Sequence, residues 1–213
     1  MKGFSIRYNR YQNLTPEQVN RDQFLPDVTE EEYNDLGKRH AIKMYEGYLR
    51  NVWVKDIKIS RVLEYGCGDG RVLRPMSEFA NHITGLDICE AIVDSAREKL
   101  KDLYNVSVYK VSDYSYECSE DFIYSLQVLQ HNTYEDQLLI LDNINRLLVE
   151  KGIACIHLPK LEDKPGYINH DTCMCFTREQ VENFGKRFGS YIIEEMPIMG
   201  NWTDYFLWVN KRM

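Results

Sequence analysis

Apolar positions along this chain follow two different rhythms, and the change falls between residues 52 and 61. Before it, Tyr33, Leu36, Met44, Tyr45, Tyr48 and Val52 recur at roughly helical spacing. Thr29 followed by Glu30, Glu31 and Glu32 is a helix start. Thr15-Pro16-Glu17-Gln18 is an earlier one, with a cap residue and a proline at the first helical position. Beyond residue 61 short apolar runs at 61–65, 83–88, 106–111, 121–126 and 153–158 predict buried strands, each followed by a helix-like segment. The clearest is 134–149, where Thr133 and Asp136 make a cap and Leu138, Leu141, Ile144, Leu147 and Leu148 form one face.

Repeated strand–helix units imply a parallel sheet covered on both faces. The final stretch departs from that alternation. Thr177 with Gln180 caps a helix ending near Gly189, and 190–196 and 204–210 then read as strands joined through Gly200-Asn201, an antiparallel hairpin. The expected fold is α/β: a doubly wound, seven-stranded, mostly parallel sheet with an antiparallel C-terminal hairpin. Residues 1–52 would form a helical cap or lid, and 53–213 the main domain.

Composition narrows the partners. A net charge of −7, with no run of Lys and Arg, argues against a nucleic-acid backbone as partner. No stretch of eighteen apolar residues offers a membrane span, and MKGFSIRYNRYQ does not read as a secretory signal. The six cysteines lack metal-site spacing, so no metal is expected, and reduced thiols suit a cytoplasmic protein. Fifteen tyrosines, many before residue 50, could line a pocket or simply pack a helix.

The most informative run is RVLEYGCGDGRVL, residues 61 to 73. A buried strand ends at Glu64, Gly66, Gly68 and Gly70 alternate, and a helix follows. Glycines serve where a turn is tight and backbone must approach a ligand. In the dinucleotide fingerprint the third glycine falls one residue later. A carboxylate before the first glycine repels a pyrophosphate but attracts an ammonium group, so the ligand suggested is nucleoside-like and positively charged. Asp87, in GLDI at the tip of the second strand, can accept hydrogen bonds from both ribose hydroxyls. Asp113, in VSDY, is placed to accept from an adenine amino group, with Tyr114 beside it for packing.

These residues resemble the class I S-adenosylmethionine-dependent methyltransferases. The match is E-x-G-x-G-x-G at 64–70, Asp87, the Asp113-Tyr114 pair and the fourth-strand segment DFIYSLQVLQHNT at 121–133. The resemblance implies that Gly66, Cys67 and Gly68 carry the methionine part, with Gly70 closing the turn. It assigns the ribose to Asp87 with Ile88 beside it, the adenine to Asp113 and Tyr114, and the passage under the sulfonium to Gln127. The implied cofactor is S-adenosyl-L-methionine, with S-adenosyl-L-homocysteine as product. Cys89 stands where such enzymes often have a Ser or another capping residue, which weakens the cap of the following helix.

A hydroxyl acceptor needs a base, and histidine suits that role near neutral pH. His131, His157 and His170 are candidates, each with a plain alternative: a backbone hydrogen bond, a satisfied core histidine and a surface loop, respectively. Strand four lacks the Asn/Asp-Pro-Pro-aromatic tetrad of enzymes acting on base amines, and no Pro-Cys nucleophile pair exists. The acceptor expected is therefore a small molecule, a carbohydrate among the candidates, methylated on oxygen in preference to an amine nitrogen. A catalytically silent scaffold is the reading of another class. The connection PKLEDKPGYINHDTCMCF, 159–176, with Tyr8, Tyr11, Tyr33 and Tyr45 as substrate-binding candidates, would cover that acceptor.

Overall fold

The computed structural model describes residues 29–53, 57–115, 117–161, 174–199 and 202–211. They fall into two compact units, one ending at Ser115 and the other running on from Glu117. Tyr8, Tyr11, His170 and the helix start at Thr15 lie outside the described residues.

The first unit opens with helix α1 (Glu30–Val52). Its start is the capping box read from the sequence: the Thr29 hydroxyl accepts from Glu32 N–H while the Glu32 carboxylate accepts from Thr29 N–H. Its buried face includes Leu36, Met44 and Tyr48, as the periodicity suggests, and adds Gly37, His40, Ala41 and Gly47. The strands β1 (Ile59–Tyr65), β2 (Ala80–Asp87) and β3 (Val106–Lys110) pair in parallel, Val62 opposite Ile83 and Gly85 opposite Val108. Between β1 and β2 lies only a single-turn helix, α2 (Leu73–Met76), and between β2 and β3 the helix α3 (Glu90–Leu100).

The second unit begins with β4 (Glu120–Ser125), followed by a 3-10 turn at Leu129–His131 and helix α4 (Tyr134–Leu147). The Thr133 cap on Asp136 N–H forms as read. The helix stops two residues earlier than its apolar pattern predicts, because Leu148 turns extended and opens β5 (Leu148–Pro159). Here β5 doubles tightly, with Lys151 at φ 64°, and its pairing with β4 jumps from Glu120 opposite Leu148 to Phe122 opposite Ile153. The buried face of α4 is also rotated from the expected one. Gln137, Ile140, Leu141, Ile144 and Leu147 are buried, and Leu138 is only half-buried. Gln137 can be inside because its amide donates to the carbonyls of Leu129 and Asn132.

Helix α5 (Arg178–Gly185) carries the capping box of Thr177 and Gln180, and β6 (Ser190–Met199) and β7 (Trp202–Asn210) are antiparallel. β7 lies between β5 and β6, with Trp208 opposite both Cys155 and Ile192. Its aromatic residues fill the core of this unit: Trp208 stacks on Phe122 at 6.1 Å, and Tyr205 and Phe206 are fully buried. Of the seven strands of the sheet, the first unit holds β3-β2-β1 in that order and the second β4-β5-β7-β6. The order runs back from β3 to β1 and forward again from β4, which is the doubly wound arrangement expected.

Candidate cofactor site and its supporting hydrogen bonds

The loop after β1 is built for close approach of its backbone. Gly66, Gly68 and Gly70 all have left-handed torsions, with φ of 82°, 54° and 86°. At Gly70 a Cβ would also lie 2.5 Å from the Leu100 side chain, so only glycine fits. Asp87, at the end of β2, is joined to this loop: its Oδ2 accepts from Gly68 N–H at 3.1 Å and its Oδ1 from Cys89 N–H at 3.0 Å. Cys89 makes no side-chain cap, as its thiol suggests, and Asp87 holds the start of α3 through that backbone bond instead. Burial pushes the Asp87 carboxyl above its ordinary range, against the opposing pull of backbone N–H groups at Cys89, Gly68 and Ile88.

Glu64 is only 3% exposed and Asp69 is buried beside it in the chain. Burial, and then Asp87, Glu64 and Asp69 in turn, push the Cys67 thiol well above its usual value. Three carboxylates thus bear on one point of the loop, a field that favours a cationic ligand. Each oxygen of Asp69 has a donor. Tyr33 Oη donates to its Oδ1 at 2.7 Å and Lys99 Nζ to its Oδ2 at 2.6 Å. Tyr33, half-buried with the Arg71 guanidinium over its ring at 4.9 Å, therefore ties α1 to the glycine loop. Burial and the Asp69 charge raise its phenol far above the ordinary tyrosine range. Close docking of α1 shows again at Gly37, where a Cβ would lie 2.5 Å from the Arg71 carbonyl. Tyr45 donates its hydroxyl to the Ile57 carbonyl and stacks on Phe79 at 4.4 Å.

Asp113 lies in the 3-10 turn Val111–Asp113, exposed, with Ser112 Oγ donating to one oxygen at 2.7 Å. Tyr114 follows, tilted against Tyr109 with ring centroids 5.6 Å apart.

In the second unit, Gln127 follows β4 with φ 59°, a left-handed conformation that costs a side-chain-bearing residue roughly 1–2 kcal/mol. Its N–H donates to His157 Nδ1 at 3.2 Å, and His157 Nε2 lies 3.0 Å from Asp204 Oδ2. His157 and Asp204 are 1% and 2% exposed. Sequence reasoning offered His157 as a base and missed Asp204. Both ring nitrogens of His157 are thus engaged, one by Gln127 N–H and the other with Asp204. His131 is half-buried at the end of the 3-10 turn, its N–H donating to the Val128 carbonyl. The connection after β5 is tied at its described ends: Phe176 N–H donates to Pro159 O, Leu161 N–H to Phe176 O, and Met174 N–H to Gln130 O.

Among the described residues, no group of three or more His, Cys, Asp or Glu is arranged to hold a metal ion. Nor is any described helix long and apolar enough to cross a membrane. None of the described cysteines Cys67, Cys89, Cys118, Cys155 and Cys175 forms a disulfide.

Residues 62–152 match the family model of a methyltransferase domain. A ubiquinone biosynthesis O-methyltransferase from Hydrogenovibrio crunogenus (strain DSM 25203 / XCL-2) is 24% identical over 131 residues, 58% of this chain. The chain spans about half that relative's length, 53%. Among solved structures, N-methyltransferase NodS from Bradyrhizobium japonicum WM9, in complex with S-adenosyl-l-homocysteine, is similar with a TM-score of 0.69. The identity is 15%, covering 92% of this chain and 98% of that one. Magnesium protoporphyrin IX methyltransferase from Synechocystis PCC 6803, with bound SAM, aligns at a TM-score of 0.68 and 13% identity, covering 99% of each chain. Over residues 62–152 the chain is therefore similar to methyltransferase domains, and its fold is similar to those of methyltransferases solved with S-adenosylmethionine or S-adenosylhomocysteine bound.

Proposed function

We propose that the chain binds S-adenosylmethionine through the glycine loop and Asp87 and methylates a small molecule. The observation that carries this is the Asp87 carboxylate held by Gly68 and Cys89 N–H beside three left-handed glycines. A carboxylate offers about four lone-pair sites, and the N–H groups of Gly68, Cys89 and Ile88 leave capacity on Asp87 for a ribose hydroxyl. Glu64 faces the ligand's ammonium end, Gly66, Cys67 and Gly68 its methionine part, and Asp113 and Tyr114 its adenine. In this reading Gln127 borders the sulfonium. Structures similar to this chain hold the same cofactor or its product, which supports the assignment.

A bound sulfonium supplies an already activated methyl group. The chain's own task is then to orient the acceptor, exclude water and, for a hydroxyl, remove its proton. We assign that proton to His131, since His157 has both ring nitrogens committed. An oxygen acceptor on a small metabolite, carbohydrates included, is the first reading, and the likeness to an O-methyltransferase supports it. N-methylation of an amine is the second, supported by the likeness to the N-methyltransferase from Bradyrhizobium japonicum. An amine can react through a neutral lone pair without a base. None of the described cysteines forms a disulfide, which supports a cytoplasmic setting.

Calorimetry with S-adenosylmethionine and S-adenosylhomocysteine tests the cofactor assignment, and no heat of binding from either would end it. A metabolite pool incubated with labelled cofactor then identifies the acceptor, while absence of any product marks a silent protein. On that acceptor, loss of turnover in His131→Ala supports base-dependent O-methylation, and unchanged turnover supports the amine.

A further inference from the structure

The strained backbone at Gln127 is held from a distance, by residues that no proposed catalytic step uses. We infer that His157 and Asp204 are positioning residues that fix this turn in the form that meets the cofactor. The inference rests on the reading that Gln127 borders the sulfonium.

The direction of the hydrogen bonds fixes the tautomer of His157. A backbone N–H can only donate, so His157 Nδ1 accepts from Gln127 and carries no proton. The ring proton then sits on Nε2 and points at Asp204 Oδ2, 3.0 Å away. Asp204 is itself fixed, its Oδ1 accepting from Lys160 N–H at 3.1 Å where the chain leaves β5. Phe206 packs against the ring with centroids 5.3 Å apart. Register explains the convergence: in the β5–β7 ladder His157 stands opposite Phe206 and Pro159 opposite Asp204. A carboxylate on β7 therefore selects a tautomer on β5, and that tautomer presents the lone pair that holds the backbone after β4.

A histidine serving only to fill the core has no need of a strained partner. Here the partner is a left-handed, side-chain-bearing residue at the carboxyl end of a parallel strand, the end at which open α/β sheets receive ligands. Fixing its torsion fixes the direction in which Gln127 leaves the chain.

The test combines NMR with calorimetry, using S-adenosylhomocysteine as probe. In isotope-labelled wild type, the His157 ring is expected to carry its proton on Nε2 and none on Nδ1; the reverse tautomer overturns the inference. His157→Asn keeps an acceptor oxygen about where Nδ1 stands, and His157→Leu has none. The Asn variant should bind within about threefold of wild type and the Leu variant about tenfold or more weakly. Both are compared at a temperature where near-ultraviolet circular dichroism matches wild type. The Gln127 amide resonance should move in the Leu variant and stay in the Asn variant. A folded Leu variant with wild-type affinity overturns the proposal. Should that variant not fold, Asp204→Asn replaces it, and unchanged affinity there counts equally against the pair. If wild type binds no S-adenosylhomocysteine, the cofactor reading fails, and the tautomer and the amide shift still decide whether the pair holds the turn.

Discussion

Asp87 and Gly68 meet across 3.1 Å, a strand-end carboxylate receiving the N–H of the middle glycine of the loop. The same carboxylate receives Cys89 N–H, so one side chain ties together the loop, the end of β2 and the start of α3. Replacing it removes this junction and, in the proposed reading, the ribose acceptor. Asp87→Ala should weaken S-adenosylmethionine binding by about 1–3 kcal/mol, read by calorimetry. It should also lower stability to urea, because two backbone donors lose their partner. Wild-type affinity would remove Asp87 from the site.

Burial raises the Asp87 carboxyl from its ordinary 3.8, and the sign of the consequence follows. The native state keeps the proton to higher pH than the unfolded chain. This residue's contribution to stability therefore declines as pH rises from 3.8 through the raised native value. Cofactor affinity runs the other way, since the ionised form is the better acceptor. It should fall as pH drops through the raised value, before ordinary aspartates protonate. Calorimetry across acid pH on wild type and Asp87→Asn checks both, and the variant should lack this component of the slope.

Gly70→Ala places a methyl group where Leu100 already stands and asks a side-chain-bearing residue to hold φ 86°. The left-handed torsion alone costs about 1–2 kcal/mol, so a fall in thermal midpoint and in cofactor affinity is expected. Gly68→Val should abolish binding through its branched side chain at a φ of 54°. Retained affinity in both variants would mean that no ligand approaches this loop.

Tyr33→Phe leaves one oxygen of a buried carboxylate without its donor while Lys99 keeps the other. A loss of about 1–3 kcal/mol in unfolding free energy is expected, with faster hydrogen exchange along α1. Exchange unchanged from wild type would show that the helix is held by its apolar face alone.

Local chemistry made much of this legible in advance. The caps at Thr29, Thr133 and Thr177 each rest on residues three apart, and each forms. The glycine loop and the acid ending β2 could likewise be read from spacing, because loop and strand tip adjoin in any such sheet. The supporting pairs could not. His157 and Asp204 are 47 residues apart and Tyr33 and Asp69 36, and only strand register and helix docking bring them together. Tyr33 read as a pocket tyrosine because its sequence neighbours say nothing of Asp69. Gln137 misled the reading of α4 for a related reason: its polarity is answered by two carbonyls of the preceding turn.

The placement of β7 has a consequence for synthesis of the protein. Residues 190–199 emerge from the ribosome before the strand that joins them to the rest of the sheet. Until 202–210 follow, β6 has no ladder partner and the flank of β5 destined for β7 stays open. Insertion of one strand rich in large aromatic residues closes both edges at once, so this half of the molecule should reach its native state in a late, concerted step.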